Sequence, residues 1–155
     1  MKNIGFIGCG NMAQAMIGGI LKAGIVDASH VMASNPTEGK LLSVKDKHNI
    51  TITANNKETA AFADILVLSV KPIKYREVID EIKDSVKENI VIITIAPGLT
   101  IDFIQNSFKR EVKVVRSMPN TPAMVGEGMS AVCFSNNLTP AEKEEAVKLF
   151  ESSSD

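Results

Sequence analysis

Little in this sequence points to nucleic acid, a bilayer or a metal. Seventeen Lys and Arg stand against 18 Asp and Glu, a formal net charge of -1. That balance gives no electrostatic footprint for nucleic acid or an acidic membrane surface. The longest apolar run, residues 90–97, is far too short to cross a bilayer. The start, Met1-Lys2-Asn3-Ile4-Gly5-Phe6-Ile7, has one lysine and then a strand-like stretch broken by Gly8. It lacks the long apolar region and small-residue cleavage site of a signal peptide. Cysteine and histidine are scarce, and Cys9, Cys133, His30 and His48 form no metal-ligand or redox spacing. A reducing cytoplasm is the expected setting, with no nucleic-acid or membrane partner.

What is present is apolar and periodic. The 155 residues are 45% hydrophobic, which suits one domain with a sizeable core. Residues 2–7, 30–34, 51–53, 65–70, 90–95 and 112–116 read as strands, rich in Val and Ile and bounded by Gly, Pro or Asn. A seventh is expected over 129–134, of unreadable direction. Continuous runs such as Ile65-Leu66-Val67-Leu68 suit strands covered on both faces, as in a parallel sheet.

Helical stretches lie between the strands. Met12, Ala15, Met16, Gly19 and Ile20 make one stripe; Tyr75, Ile79, Ile82 and Val86 make a second; Ile101, Ile104 and Phe108 make a third. Thr139-Pro140-Ala141-Glu142 is a helix start, with Thr as cap, Pro at the first helical position and Glu closing a capping box. That helix runs into Glu151-Ser152-Ser153-Ser154-Asp155 with no apolar partner following it. The ending is read as truncation ahead of a second domain before a natural frayed terminus, and both stay open. The alternation as a whole predicts an α/β, Rossmann-type, doubly wound and mainly parallel sheet flanked by helices.

The first strand feeds into Gly8-Cys9-Gly10-Asn11-Met12-Ala13, a G-x-G-x-x-A pattern. Gly8 permits a tight turn, Gly10 lets the backbone approach a pyrophosphate, and Ala13 allows close packing of helix on strand. The phosphates then meet free N–H groups and the positive end of a helix dipole. A glycine turn in a non-binding α/β fold would explain the turn but not both glycines. Cys9 lacks a pairing base inside this loop and reads as filler. The second strand ends Ser34-Asn35-Pro36-Thr37, without the acid that usually holds the ribose hydroxyls of NAD. Asn35 and Thr37 can donate to a 2′-phosphate, and Lys40 is the nearest cation. NADP is therefore favoured over NAD.

Three more loops fall at the carboxyl edge of the sheet, where ligands of open α/β folds lie. They are Ser69-Val70-Lys71-Pro72, Ile95-Ala96-Pro97-Gly98 and Arg116-Ser117-Met118-Pro119-Asn120-Thr121-Pro122. Their prolines hold the chain extended and suit rigid pocket walls. Asn120 and Thr121, between two prolines, offer hydrogen bonds at fixed positions. Lys71 reads as a pocket-shaping or solvent-facing residue before a general acid. Asn56-Lys57-Glu58-Thr59 reads first as a helix cap, with cofactor contact as a second role.

Taken in order, Gly5-Phe6-Ile7-Gly8-Cys9-Gly10-Asn11-Met12-Ala13, Asn56-Lys57-Glu58-Thr59, Ser69-Val70-Lys71-Pro72, Ser117-Met118-Pro119-Asn120-Thr121-Pro122 and Met124-Val125-Gly126-Glu127-Gly128-Met129 closely resemble the pyrroline-5-carboxylate reductase family. The resemblance covers essentially the whole chain, and the late Pro-Asn-Thr-Pro segment is its most specific part. It implies an N-terminal Rossmann domain that binds NAD(P)H and, in the family, a helical C-terminal domain that forms the dimer. It implies cofactor contacts at Ile7, Gly8, Cys9, Gly10, Asn11, Met12, Asn35, Thr37, Asn56, Ser69, Val70, Lys71, Pro72, Ile95, Ala96 and Pro97. It also implies that Asn120 and Thr121 stand beside the nicotinamide, which makes them the catalytic candidates.

The leading expectation is a single dinucleotide-binding domain serving NAD(P)H-dependent reduction of 1-pyrroline-5-carboxylate to proline. A full-length parent is expected to be a homo-oligomer, and this chain a monomer or weak dimer. Three readings stay open beside it: a related dehydrogenase of the 6-phosphogluconate or β-hydroxyacid type, a catalytically silent nucleotide-binding module, and an α/β domain that binds no dinucleotide.

Overall fold

The computed structural model describes residues 1–117 and 132–152. The Val- and Ile-rich runs form the strands β1 (Ile4–Ile7), β2 (Val31–Ser34), β3 (Thr51–Thr53), β4 (Ile65–Leu68), β5 (Val91–Thr94), β6 (Lys113–Ser117) and β7 (Val132–Phe134). They make one sheet in the order β3-β2-β1-β4-β5-β6-β7. The first six are parallel, and β7 joins β6 antiparallel, which settles the direction the sequence left open. The fold is Rossmann-type and doubly wound. Its first six strands follow the dinucleotide-binding order 3-2-1-4-5-6.

Helices α1 (Asn11–Lys22), α2 (Glu38–His48) and α6 (Pro140–Ser152) supply one core. Helices α3 (Asn56–Phe62), α4 (Tyr75–Ile82) and α5 (Ile101–Phe108) supply the other. Cover on both faces is why every residue of β1, β4 and β5 is buried. Large side chains such as Phe6 and Ile20 are sealed on one side, Leu66 and Ile79 on the other. Each contributes on the order of 1.5–3 kcal/mol by leaving water.

Two expectations about helix faces are corrected. In α1 the buried residues are Ala13, Met16, Ile17 and Ile20, while Met12 is 63% exposed and Ala15 is also exposed. The stripe is rotated because either set of residues satisfies helical spacing, and the packing of α1 on the sheet chooses between them. The last helix does have an apolar partner. Ala146, Leu149 and Phe150 of α6 are buried in the core that α1 helps to form. That partner is the first helix, too distant in sequence for a local pattern to show. In α4, Tyr75, Ile79 and Ile82 are buried as the stripe predicted, and Val86 is buried just beyond the helix.

The capping box at the start of α6 forms in both directions. The Thr139 N–H donates to Glu142 Oε1 at 2.8 Å, and the Glu142 N–H donates to Thr139 Oγ1 at 3.1 Å. The other carboxylate oxygen accepts from Lys113 Nζ at 2.7 Å. Burial alone would raise the Glu142 pKa, but the hydrogen bonds from Lys113 and Thr139 outweigh it and hold the carboxyl below its ordinary value. A depressed carboxyl stabilises the fold above its unfolded pKa and loses that contribution as pH falls through the native value. Glu142→Gln is therefore expected to cost about 1–2 kcal/mol at neutral pH. The gap between parent and variant should narrow below the ordinary value of 4.5. Urea denaturation at pH 7 and pH 3.5 checks this, and a gap unchanged at acid pH would sink it.

Among the described residues, no helix is long and apolar enough to cross a membrane. No group of three or more His, Cys, Asp or Glu among them could hold a metal ion.

Candidate cofactor-binding site

The sheet reverses its winding between β1 and β4, and a crevice opens outside the carboxyl ends of the strands at such a point. In this chain that crevice is an open cleft of about 280 Å³. The glycine loop and α1 supply Gly10, Asn11, Met12 and Ala13. The loop after β4 supplies Ser69, Val70 and Pro72, and the loop after β5 supplies Ile95, Ala96 and Pro97. Strands β4 and β5 stop at Leu68 and Thr94, earlier than expected. Both loops are thereby free to form cleft walls.

The two glycines of the loop differ physically. Gly8 has φ +101°, and a Cβ there would stand 2.9 Å from the Ser69 carbonyl carbon and oxygen. Its N–H donates to the Ser34 carbonyl at 2.8 Å, and Ser69 Oγ donates to the Ile7 and Gly8 carbonyls at 3.1 and 2.8 Å. The protein itself demands glycine here. Gly10 is ordinary by contrast, with φ -74° and ψ -176°. A Cβ there would meet nothing within 4 Å. Packing therefore leaves space beside Gly10 that a ligand could enter. Gly10 caps α1 without a side-chain hydrogen bond, so the first-turn N–H groups and the positive helix end are available to an anion.

Other candidates lie near the cleft but have internal partners. Asn35 is buried; its Oδ1 accepts the Cys9 N–H at 3.0 Å and its Nδ2 donates to the Thr37 carbonyl at 3.3 Å. Asn56 Oδ1 accepts from Ser34 Oγ at 2.8 Å, and its Nδ2 donates to Glu81 Oε1 at 2.9 Å. The cap of α3 is not Asn56 but Asn55, whose side chain accepts the Lys57 N–H at 3.0 Å. Thr37 sits exposed before α2, and Lys71 is exposed beside Pro72. Ile7 is buried at the end of β1. Burial pushes the Cys9 thiol up to about 11, against a smaller lowering by the charge of Lys40. The thiol is thus inert at neutral pH. Asn120 and Thr121 lie outside the described residues.

Two partnerships were not visible in the sequence. Gln14 Nε2 donates to the Cys9 carbonyl at 2.8 Å. Tyr75 Oη hydrogen-bonds the Leu68 carbonyl at 2.6 Å and Thr94 Oγ1 at 2.7 Å. The tyrosine ties the ends of β4 and β5 together where the cleft loops depart. Burial pushes its phenol up to about 12, so the hydroxyl stays protonated and serves as a brace. Both residues were on helical stretches, and nothing local marks where such side chains reach.

A family model described as NADP oxidoreductase, coenzyme F420-dependent, matches residues 3–98. The chain belongs to that family. Within it, the likeness to pyrroline-5-carboxylate reductases extends along nearly the whole chain. The pyrroline-5-carboxylate reductase of Escherichia coli K12 is 34% identical over 149 residues, which are 96% of this chain and 55% of that protein. Pyrroline-5-carboxylate reductase 2 of Bacillus subtilis is 38% identical over 95% of this chain and 52% of its own length. Among solved structures, a pyrroline-5-carboxylate reductase from Coxiella burnetii superposes with a TM-score of 0.86 at 32% identity, covering 98% of this chain and 56% of that one. The Plasmodium falciparum pyrroline carboxylate reductase, solved with NADP bound, gives 0.79 at 28% identity, covering 98% of this chain and 55% of that one. The 3-hydroxyisobutyrate dehydrogenase of Mycobacterium tuberculosis gives 0.73 at 15% identity, which shows a shared fold alone. The chain spans about half the length of the curated relatives it matches.

Proposed function

We propose that residues 1–155 form one NADP(H)-binding domain that serves the reduction of 1-pyrroline-5-carboxylate to proline. The observation that carries the cofactor half is the open space over Gly10 at a helix start without a side-chain cap, set at the switch point of the sheet. The substrate half rests on the pyrroline-5-carboxylate reductases at 33–38% identity. NADP is preferred to NAD because the end of β2, Ser34-Asn35-Pro36-Thr37, carries no carboxylate to repel a 2′-phosphate. The relative solved with NADP supports the same choice.

When bound, the cofactor supplies the hydride, and the protein's work is binding and orientation. The α1 start would hold the pyrophosphate, and Ser69, Val70, Pro72, Ile95, Ala96 and Pro97, which line the same cleft, would wall the rest of the cofactor. Lys71 would shape the rim of that wall, and the likeness to pyrroline-5-carboxylate reductases nominates Asn120 and Thr121 as the catalytic candidates. Cys9 and Cys133 are free thiols, which suits a reducing cytoplasm.

Among the described residues, none lining the cleft is charged, so no side-chain cation there pairs with a substrate carboxylate. The remainder of the substrate site, and the homo-oligomer that completes it, belong in this reading to a longer parent protein. The chain of 155 residues is expected to bind NADPH as a monomer or weak dimer, without appreciable turnover of pyrroline-5-carboxylate. Ligand binding to the folded state adds about 2.7 kcal/mol at a hundredfold excess over Kd, so NADPH should raise the melting temperature by several degrees. Calorimetric titration and thermal shift test the cofactor half; no heat and no shift at millimolar NADPH or NADH would sink it. Steady NADPH oxidation by the chain alone, at enzymatic rates, would overturn the claim that it lacks the rest of the substrate site.

A further inference from the structure

The glycine loop is held by side chains on both sides of Cys9. Cys9 stands at its centre, and both of its backbone polar groups bond to side chains from elsewhere. The N–H goes to Asn35 Oδ1 at 3.0 Å, and the carbonyl accepts from Gln14 Nε2 at 2.8 Å. The backbone N–H of Gln14 also takes the next carbonyl, that of Gly10, at 3.0 Å. One residue therefore grips two consecutive carbonyls of the loop, one by its side chain and one by its main chain. A trans peptide is planar, and its N–H points opposite to its C=O; the chain has no cis bonds among its described residues. Turning the Cys9 carbonyl toward Gln14 turns the Gly10 N–H away from it. That N–H has no hydrogen-bond partner among the described residues.

We infer that Gln14 is a positioning residue that clamps the Cys9–Gly10 peptide and so presents the Gly10 amide to an anionic group of the cofactor. Asn35 acts from the other side of Cys9 as its counterpart, accepting the Cys9 N–H at 3.0 Å. Without the clamp the peptide can rotate, and binding must then restrict a freedom that the clamped loop has already lost. The inference rests on the NADP(H) reading above but concerns a residue that makes no ligand contact of its own. Gln14 lies half-buried on the first turn of α1, where substitutions that keep helix propensity leave the core intact.

The test compares the parent chain with Gln14→Met, which keeps length and helix propensity but cannot donate, and with Gln14→Arg, which can. Gln14→Met should weaken NADPH binding about fivefold, because binding must then order the freed peptide. It should lower the melting temperature of the free chain by no more than about 5 °C, as the loss of one hydrogen bond does. At about 0.5 M salt, where the added charge is largely screened, Gln14→Arg should restore affinity to within about twofold. In amide spectra of the free chain, the Gly10 resonance should be broadened in Gln14→Met and sharp in the parent and Gln14→Arg. If the parent binds and Gln14→Met matches it in both affinity and Gly10 line shape, the clamp is overturned. If the parent does not bind NADPH, the functional reading falls, and the Gly10 line shape decides the clamp by itself.

Discussion

Gly8→Ala is expected to lower stability by about 3 kcal/mol, the largest single-methyl effect the loop can produce. Two costs add. At φ +101° any L side chain is strained, which costs on the order of 1–2 kcal/mol. The new Cβ would also stand 2.9 Å from the Ser69 carbonyl group, an overlap that costs a further 1–3 kcal/mol or so. Ser69 cannot easily retreat. Its N–H donates to the Ile7 carbonyl at 2.9 Å and its hydroxyl to the Gly8 carbonyl at 2.8 Å. The following turn is anchored by Tyr75 on Leu68. Thermal and urea denaturation of the free chain should show the loss, with a melting temperature lower by roughly 6–12 °C. A change below about 1 kcal/mol would mean that Gly8 is not locked by the fold, and the account of the turn would be wrong.

The strands were legible because parallel strands buried on both faces must be apolar throughout, and β1, β4 and β5 are. Strand ends were not: Val70 and Ile95 are apolar enough to continue, yet the chain turns after Leu68 and Thr94 to make the cleft. Helix existence was legible, but the face of α1 was not. Met12 satisfies helical spacing as well as Ala13 does, and only the arrival of α1 over β1 decides which is buried. The partner of α6 was hidden for a related reason, since α1 and α6 lie at opposite ends of the sequence. The glycine loop was legible from its motif and setting. The internal partners of Asn35 and Asn56 were not, because only the tertiary structure brings those groups to them. Asn35 meets the Cys9 N–H, and Asn56 meets Ser34 and Glu81. Gln14 carried no signal at all: its partner is a carbonyl turned toward it by the loop, and loop conformation is a tertiary fact.

Gly10→Val is the counterpart of the first prediction and separates binding from folding. Backbone angles at Gly10 are open to any residue, and a Cβ would meet nothing within 4 Å. The fold should therefore tolerate the change, losing no more than about 1 kcal/mol for a poorer helix cap. Its two added methyl groups would occupy the space over the start of α1, where a pyrophosphate must come within hydrogen-bonding distance of the backbone. The affinity for NADPH is expected to fall at least tenfold, which is about 1.4 kcal/mol. The loss should reach NADH as well, because both dinucleotides carry the same pyrophosphate. Circular dichroism and thermal melting would establish that the variant is folded, and calorimetric titration would measure the affinity. A variant that is native by both criteria and binds NADPH as the parent does would show that the phosphates lie elsewhere. The open space over Gly10, on which the functional reading depends, would then have no part in cofactor binding.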